Sequence, residues 1–261
     1  MANYDNRFAQ AGGIARPRSD AAIDAGLRSF MSSVYNYMAV GVLLTGLVAY
    51  GLFSLAVSPV PVQGGASLSR TLHLTPLGRT IYMTPLLYVL IFAPLVFSFF
   101  FVWRQDRMSP AGAQAMFWIF AVLMGLSLST IGLRFTGSSI ARVFFITAAT
   151  FGAISLWGYT TKKDLSGWGT FLFMGLIGLL IASIVQIFVQ APMLGFIISC
   201  VGVLLFAALT AYDTQMIKDT YYDVAHDAAL ASKYAIVGAF QLYTDFIGMF
   251  QSLMSLLGDR E

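Results

Sequence analysis

The chain has 261 residues, of which 58% are hydrophobic and only 10% charged, and its mean hydropathy is +0.76. Soluble domains carry about 25% charged residues, so the composition excludes a water-soluble globular enzyme and assigns most of the chain to lipid. The formal net charge of +3 is too small to imply a nucleic-acid partner.

Residues 1–27 hold Gly12, Gly13, Pro17, three Asp and three Arg, with no apolar core. They read as a flexible cytoplasmic tail with a short interfacial helix near its end, and not as a secretory signal peptide. A transmembrane domain over 28–258 follows. Its first apolar run is 31–57. The stretch 58–83 contains Pro59, Pro61, Gly64, Gly65, Pro76 and Gly78, which is loop chemistry. Its length predicts a segment folded back over the outer face. Six further runs follow at 84–103, 111–133, 139–159, 167–189, 192–217 and 234–257. Each is about 20 residues or longer, enough to cross a hydrocarbon core of roughly 30 Å. A β-barrel would instead show segments of about ten residues with alternating polarity. The last run carries Asp245 and either crosses fully or turns back. The predicted class is an all-α membrane protein with seven transmembrane helices.

Lys and Arg set the orientation. With the N-terminus cytoplasmic and all seven runs crossing, the inner segments hold ten basic residues, among them Arg28, Arg104, Arg107, Lys162, Lys163, Lys218 and Lys233. The outer segments hold five: Arg70, Arg79, Arg134, Arg142 and Arg260. That bias predicts an N-inside, multi-pass protein. Small residues four apart (Gly125 and Ser129, Gly178 and Ala182, Ala207 and Ala211) would let helices approach closely in lipid. Cys200, the single cysteine, sits in an apolar run and reads as a small buried hydrophobe.

Several chemistries find no residues to support them. His73 and His226 are both in loops and far apart, and no paired-His, CxxC or HExxH spacing exists for zinc. There is no GxSxG elbow and no phosphate-cradling glycine loop. No cofactor is implied. The unusual residues are acids inside apolar runs. Asp245 lies 11 residues into its run, roughly 16 Å along a helix, where a lone charge costs at least about 3 kcal/mol. Asp213 lies near the predicted cytoplasmic end of the sixth run. The two have their sequence midpoint at Ala229, inside the polar connector Lys218–Lys233. Antiparallel helices turning near that midpoint would bring the two carboxyls level. Such a pair shares a proton and titrates as a unit, which gives a pH-dependent element without histidine. Deprotonated, it is a hard oxygen site suited to transient binding of Ca²⁺. Arg104, at the end of the second run, is a cation that could reach an ionised aspartate.

These segments resemble the Bax inhibitor-1, or transmembrane Bax inhibitor motif, family. The resemblance is carried by Val34-Tyr-Asn-Tyr-Met38, Gly125-Leu-Ser-Leu-Ser129, the stretch from Ala141 to Gly152, Thr161-Lys-Lys-Asp-Leu-Ser166, Tyr212-Asp213, and Leu242-Tyr-Thr-Asp-Phe-Ile-Gly-Met-Phe250. It covers about Leu27–Gly258 and looks like a bacterial member, which implies the inner membrane. The resemblance implies six helices surrounding a central C-terminal seventh, and a pH-sensitive Ca²⁺ leak channel whose closed state an aspartate pair controls. Asp213 and Asp245 occupy the matching positions, and Arg104 matches an arginine that latches the pair in some members. The glutamate that some members carry in the second helix is missing between Thr84 and Trp103.

Two other functions compete. An intramembrane aspartyl protease also places a Tyr-Asp on one helix and a second Asp on the next. Against it, Asp245 follows Tyr243-Thr244 and not Gly-x-Gly, and no Pro-Ala-Leu segment lies near the C-terminus. A non-conducting regulator that binds other membrane proteins through its tail and polar loops is the second. The expected partners are therefore the lipid bilayer and the calcium ion, with membrane-protein partners left open.

Overall fold

The computed structural model describes residues 20–58, 60, 65–67 and 73–259, with side chains from Ile23 onward. Of the predicted tail, residues 1–19 lie outside the described residues. The remainder is helical: α1 runs Asp20–Ala56. The helix begins well before Met31 because Leu27, Phe30, Met31 and Val34 recur at helical spacing and are all buried. Residues 20–27 are thus the first two turns of α1.

The 58–83 connection is more ordered than its Pro and Gly content suggests. Val57–Ser58 (β1), Ala66–Ser67 (β2) and His73–Leu74 (β3) form an antiparallel sheet in the order β1-β3-β2. Helix α2, Pro76–Tyr82, follows. Pro76 takes the first helical position, and Thr75 Oγ1 accepts the Gly78 N–H at 3.1 Å. The same hydroxyl donates to the Leu55 carbonyl at 2.9 Å, which pins the connection to the end of α1. Ala56, Leu74 and Tyr82 form a small buried cluster there.

The long helices are α3 (Leu86–Arg104), α4 (Pro110–Leu128), α5 (Gly137–Thr160), α6 (Gly169–Val189), α7 (Pro192–Val224) and α8 (Ala228–Leu257). Ser109 caps α4 and Thr136 caps α5 with their hydroxyls. Among the described residues six helices are long and apolar enough to cross a membrane: α1, α3, α4 with its 3₁₀ extension to Leu133, α5, α6 and α7. This is an all-α membrane protein. The connector expected over Lys218–Lys233 is almost all helix. Only Ala225–Asp227 turn, and Asp227 caps α8 by accepting the N–H groups of Ala229 and Leu230.

Helix α8 packs against α1, α4, α5 and α7. It also meets α3 where Phe101 stacks on Phe240 with ring centroids 4.2 Å apart. Phe240, Tyr243 and Phe246 follow at three-residue spacing and present one aromatic stripe. Phe120 and Phe117 pack edge-on or tilted against it from α4, and Phe144 and Phe151 pack edge-on from α5. Such pairs add about 0.5–1.5 kcal/mol beyond area burial. Helix α6 packs on α7 instead.

The small-residue pairs divide. A Cβ on Gly125 would come within 2.7 Å of the Thr45 carbonyl on α1, so α1 and α4 are in close approach there. Ala211 lies against Gly158 and joins α7 to α5 in the same way. Gly178 meets nothing within 4 Å, and its spacing reflects composition alone.

Candidate functional site

The register of α7 against α8 follows from two contacts. Gly238 receives Ile217, and Gly248 receives the ring of Phe206. Asp213 therefore falls level with Gln241–Leu242, one helical turn short of Asp245. The two acids thus stand about one turn apart on packed helices, close enough for each carboxyl to bear on the other. The offset arises because the helices turn at Ala225–Asp227, earlier than the midpoint at Ala229.

Asp245 is 4% exposed, while Asp213 is half-buried. Asp245 Oδ2 receives no hydrogen bond from a donor among the described residues. Buried polar atoms are nearly always partnered. Two full charges close together in a dry interior are very costly.

No cation among the described residues pairs with these acids. Arg104 is exposed at the end of α3, three residues past Phe101, and forms no ion pair. Lys218 donates to the Tyr159 carbonyl at 3.1 Å. Lys233, 7% exposed, donates to the Asp106 carbonyl at 2.9 Å and lies over the Tyr234 ring. The structure thus brings Asp213 and Asp245 together and leaves Arg104 apart from them. Two carboxylates alone make a thin cation site, and no cluster of three His, Cys, Asp or Glu exists among the described residues.

Two hydroxyl networks flank the pair, and sequence reasoning found neither. Tyr243, two residues before Asp245, is hydrogen-bonded through Oη to Thr45 Oγ1 at 2.6 Å, and Thr45 donates to the Ala121 carbonyl at 2.9 Å. This ties α8 to α1 and α4. On the other side Tyr35 Oη bonds Ser155 Oγ at 2.7 Å, and Ser155 bonds Thr214 Oγ1 at 2.9 Å, beside Asp213. Next along α7, buried Gln215 accepts the Leu165 N–H at 2.7 Å and donates to the Lys163 carbonyl at 2.8 Å. That fixes the α5–α6 connection against α7. The only sequence signal for these residues is polarity inside apolar runs, and Ser and Thr are too common in such runs for that to single them out.

Cavities lie elsewhere. Three cavities have volumes of about 530, 560 and 300 Å³, and neither aspartate lines any of them.

Comparison with known proteins gives one consistent answer. The family model described as "Inhibitor of apoptosis-promoting Bax1" matches residues 27–261. An uncharacterized protein of Caulobacter vibrioides is 43% identical over 99% of this chain and 98% of its own length. One of Rickettsia prowazekii is 42% identical over 91% of this chain and 92% of its own. The inner membrane protein YbhL of Escherichia coli is 37% identical over 94% of this chain and 98% of its own.

Proposed function

The chain belongs to the Bax inhibitor-1 family, and on that premise we propose that it is a pH-sensitive calcium leak channel of a bacterial inner membrane. In this reading it has seven crossings, a cytoplasmic N-terminus and no catalytic role. The observation that carries the reading is the contact of Asp213 with Asp245, the latter buried and with Oδ2 unpartnered, on two helices of the bundle. While the carboxyls share a proton they hold α7 and α8 together. Loss of that proton leaves two like charges in a dry interface, and the repulsion loosens the same two helices. A hard divalent cation is the natural counter-charge for the separated carboxylates.

The seventh crossing is supported by the length of α8, 30 residues or about 45 Å, and by its burial against α1, α4, α5 and α7. The N-inside orientation rests on the Lys and Arg bias. The inner-membrane assignment follows from the Escherichia coli relative, an inner membrane protein.

The test is Ca²⁺ flux into liposomes that contain only the purified protein, scanned from about pH 5 to 8, where a shared-proton pair responds. Flux should change steeply across that range, and Asp213→Asn or Asp245→Asn should flatten the profile. Flux with an unchanged profile in both variants removes the pair from gating. Absence of flux at every pH in folded protein overturns the channel reading, and assays for peptide cleavage and co-purifying partners then take its place.

A further inference from the structure

Helices α1 and α5 both flank α8, yet they do not pack closely on each other. A cavity of about 560 Å³ lies between them, alongside Arg28, Met31 and Tyr35 of α1 and Phe151, Gly152 and Leu156 of α5. Three features make it more than a gap. Its walls are apolar over most of their extent, and Leu156 on its edge is 63% exposed, so the cavity opens sideways at the level of the membrane. Arg28, in the third turn of α1, stands at the same end of the cavity as Tyr159 in the last turn of α5. Among the described residues Arg28 has no ion pair and no hydrogen bond. Finally, a Cβ on Gly152 would meet nothing within 4 Å, whereas Gly158, two turns along the same helix, sits against backbone. A helical glycine is destabilising relative to alanine, and at Gly152 no close helix approach offsets that cost.

We propose that this cleft binds one anionic phospholipid, with an acyl chain against Met31, Phe151 and Gly152 and the phosphate on Arg28. An acyl chain matches apolar walls that open into lipid, and a guanidinium engages phosphate oxygens through paired N–H donors. The charge stands at the interfacial end of the cleft and the apolar surface lies deeper, which is the polarity of a lipid entering from its own leaflet. The deep wall carries Tyr35 Oη and Ser155 Oγ, the hydroxyls that lead to Thr214 beside Asp213. The occupant therefore touches the network that abuts the aspartate pair. Binding itself does not depend on the channel reading.

Native mass spectrometry of the detergent-purified full chain tests this, with phosphatidylglycerol and phosphatidylcholine of identical chains added in turn. The wild-type protein should retain one phosphatidylglycerol about tenfold more strongly than phosphatidylcholine, whose choline cation offsets the phosphate charge that Arg28 would pair with. Arg28→Ala should abolish that preference. Gly152→Leu should remove retention of both lipids. Gly178→Leu, a glycine on α6 that also faces open space, should leave retention unchanged and controls for surface bulk. Equal retention of the two lipids by the wild type overturns the proposal, as does a preference that survives both Arg28→Ala and Gly152→Leu. Soluble glycerol phosphate competing as well as the lipid would assign the site to free phosphate. A dimer lost on Gly152→Leu would assign the cleft to a second copy.

Discussion

Helices α6 and α8 are both apolar and long, yet they are built for opposite surroundings. Helix α6 has 21 residues, no charged side chain, and a single buried residue, Leu172. Phe171, Phe173, Met174 and Phe188 all point outward. Helix α8 has 30 residues and buries fifteen of them, Lys233 and Asp245 included. In lipid the outward face of α6 costs nothing, because hydrocarbon is its solvent, and association there relies on packing and polar contacts. The acid and the lysine of α8 are tolerable only inside the bundle. Hydropathy alone therefore ranks the least important helix highest, and polarity within an apolar run marks the one that organises the fold.

The sharpest way to break this comparison is to remove one aromatic ring from each helix. Phe240 contacts Phe101 and Phe120. Phe240→Ala should cost about 3–5 kcal/mol, the range for an aromatic core truncation, read from unfolding in detergent. Phe173→Ala on α6, where the ring is 61% exposed, should stay within about 0.5 kcal/mol. Equal losses would mean that α6 is buried in an assembly.

Glycines give the next largest contrast. A Cβ at Gly158 would lie 2.5 Å from the Ala211 carbonyl oxygen and 2.9 Å from its Cα. Backbone cannot give way as a flexible side chain does. Gly158→Ala should therefore push α5 off α7 and cost about 1–3 kcal/mol. Gly178→Ala faces open space and should be neutral or stabilise by up to about 1 kcal/mol through helix propensity. Thermal midpoints of the two variants in one detergent decide this.

The same contrast explains what the sequence made legible. The six helices long and apolar enough to cross a membrane follow from runs of about 20 apolar residues, whose bounds agree with α1 and α3–α7 at most ends. The α7–α8 connection was misread because both helices continue into it, where Lys218 and Asp223 make a helical stretch look like loop. Asp213 and Asp245 were conspicuous because acids are rare in such runs. Tyr243 and Thr45, 198 residues apart, were not, because each is ordinary in a transmembrane helix and only the fold pairs them. Lys233 stood out only as one of the inner basic residues closing the polar connector, yet its amine is turned inward onto a backbone carbonyl.

Lys233 offers a smaller test within α8. Lys233→Met keeps the side chain's length and removes the bond to Asp106, which should cost about 1 kcal/mol and loosen the turn between α3 and α4. Faster amide exchange over residues 105–109, with Phe240 protection unchanged, is the expected signature. Uniform loosening of α8 would show that Lys233 supports the helix as a whole.

The smallest effect belongs to the approach to α6. Asp164 Oδ1 accepts the Ser166 N–H at 2.8 Å, and the Ser166 side chain and backbone hold this exposed carboxyl below its ordinary range. Its contribution to stability is present above the unfolded carboxylate range near pH 4 and fades as pH falls through the lowered folded value. Asp164→Asn keeps an acceptor and deletes the charge. The variant should melt slightly below wild type at pH 7, and the two should converge at acidic pH. Because both proteins carry the same aspartate pair, titration of Asp213 and Asp245 cancels from the difference. A gap that stays constant with pH would mean that the side chain's shape, and not its charge, sets the loop leading into α6.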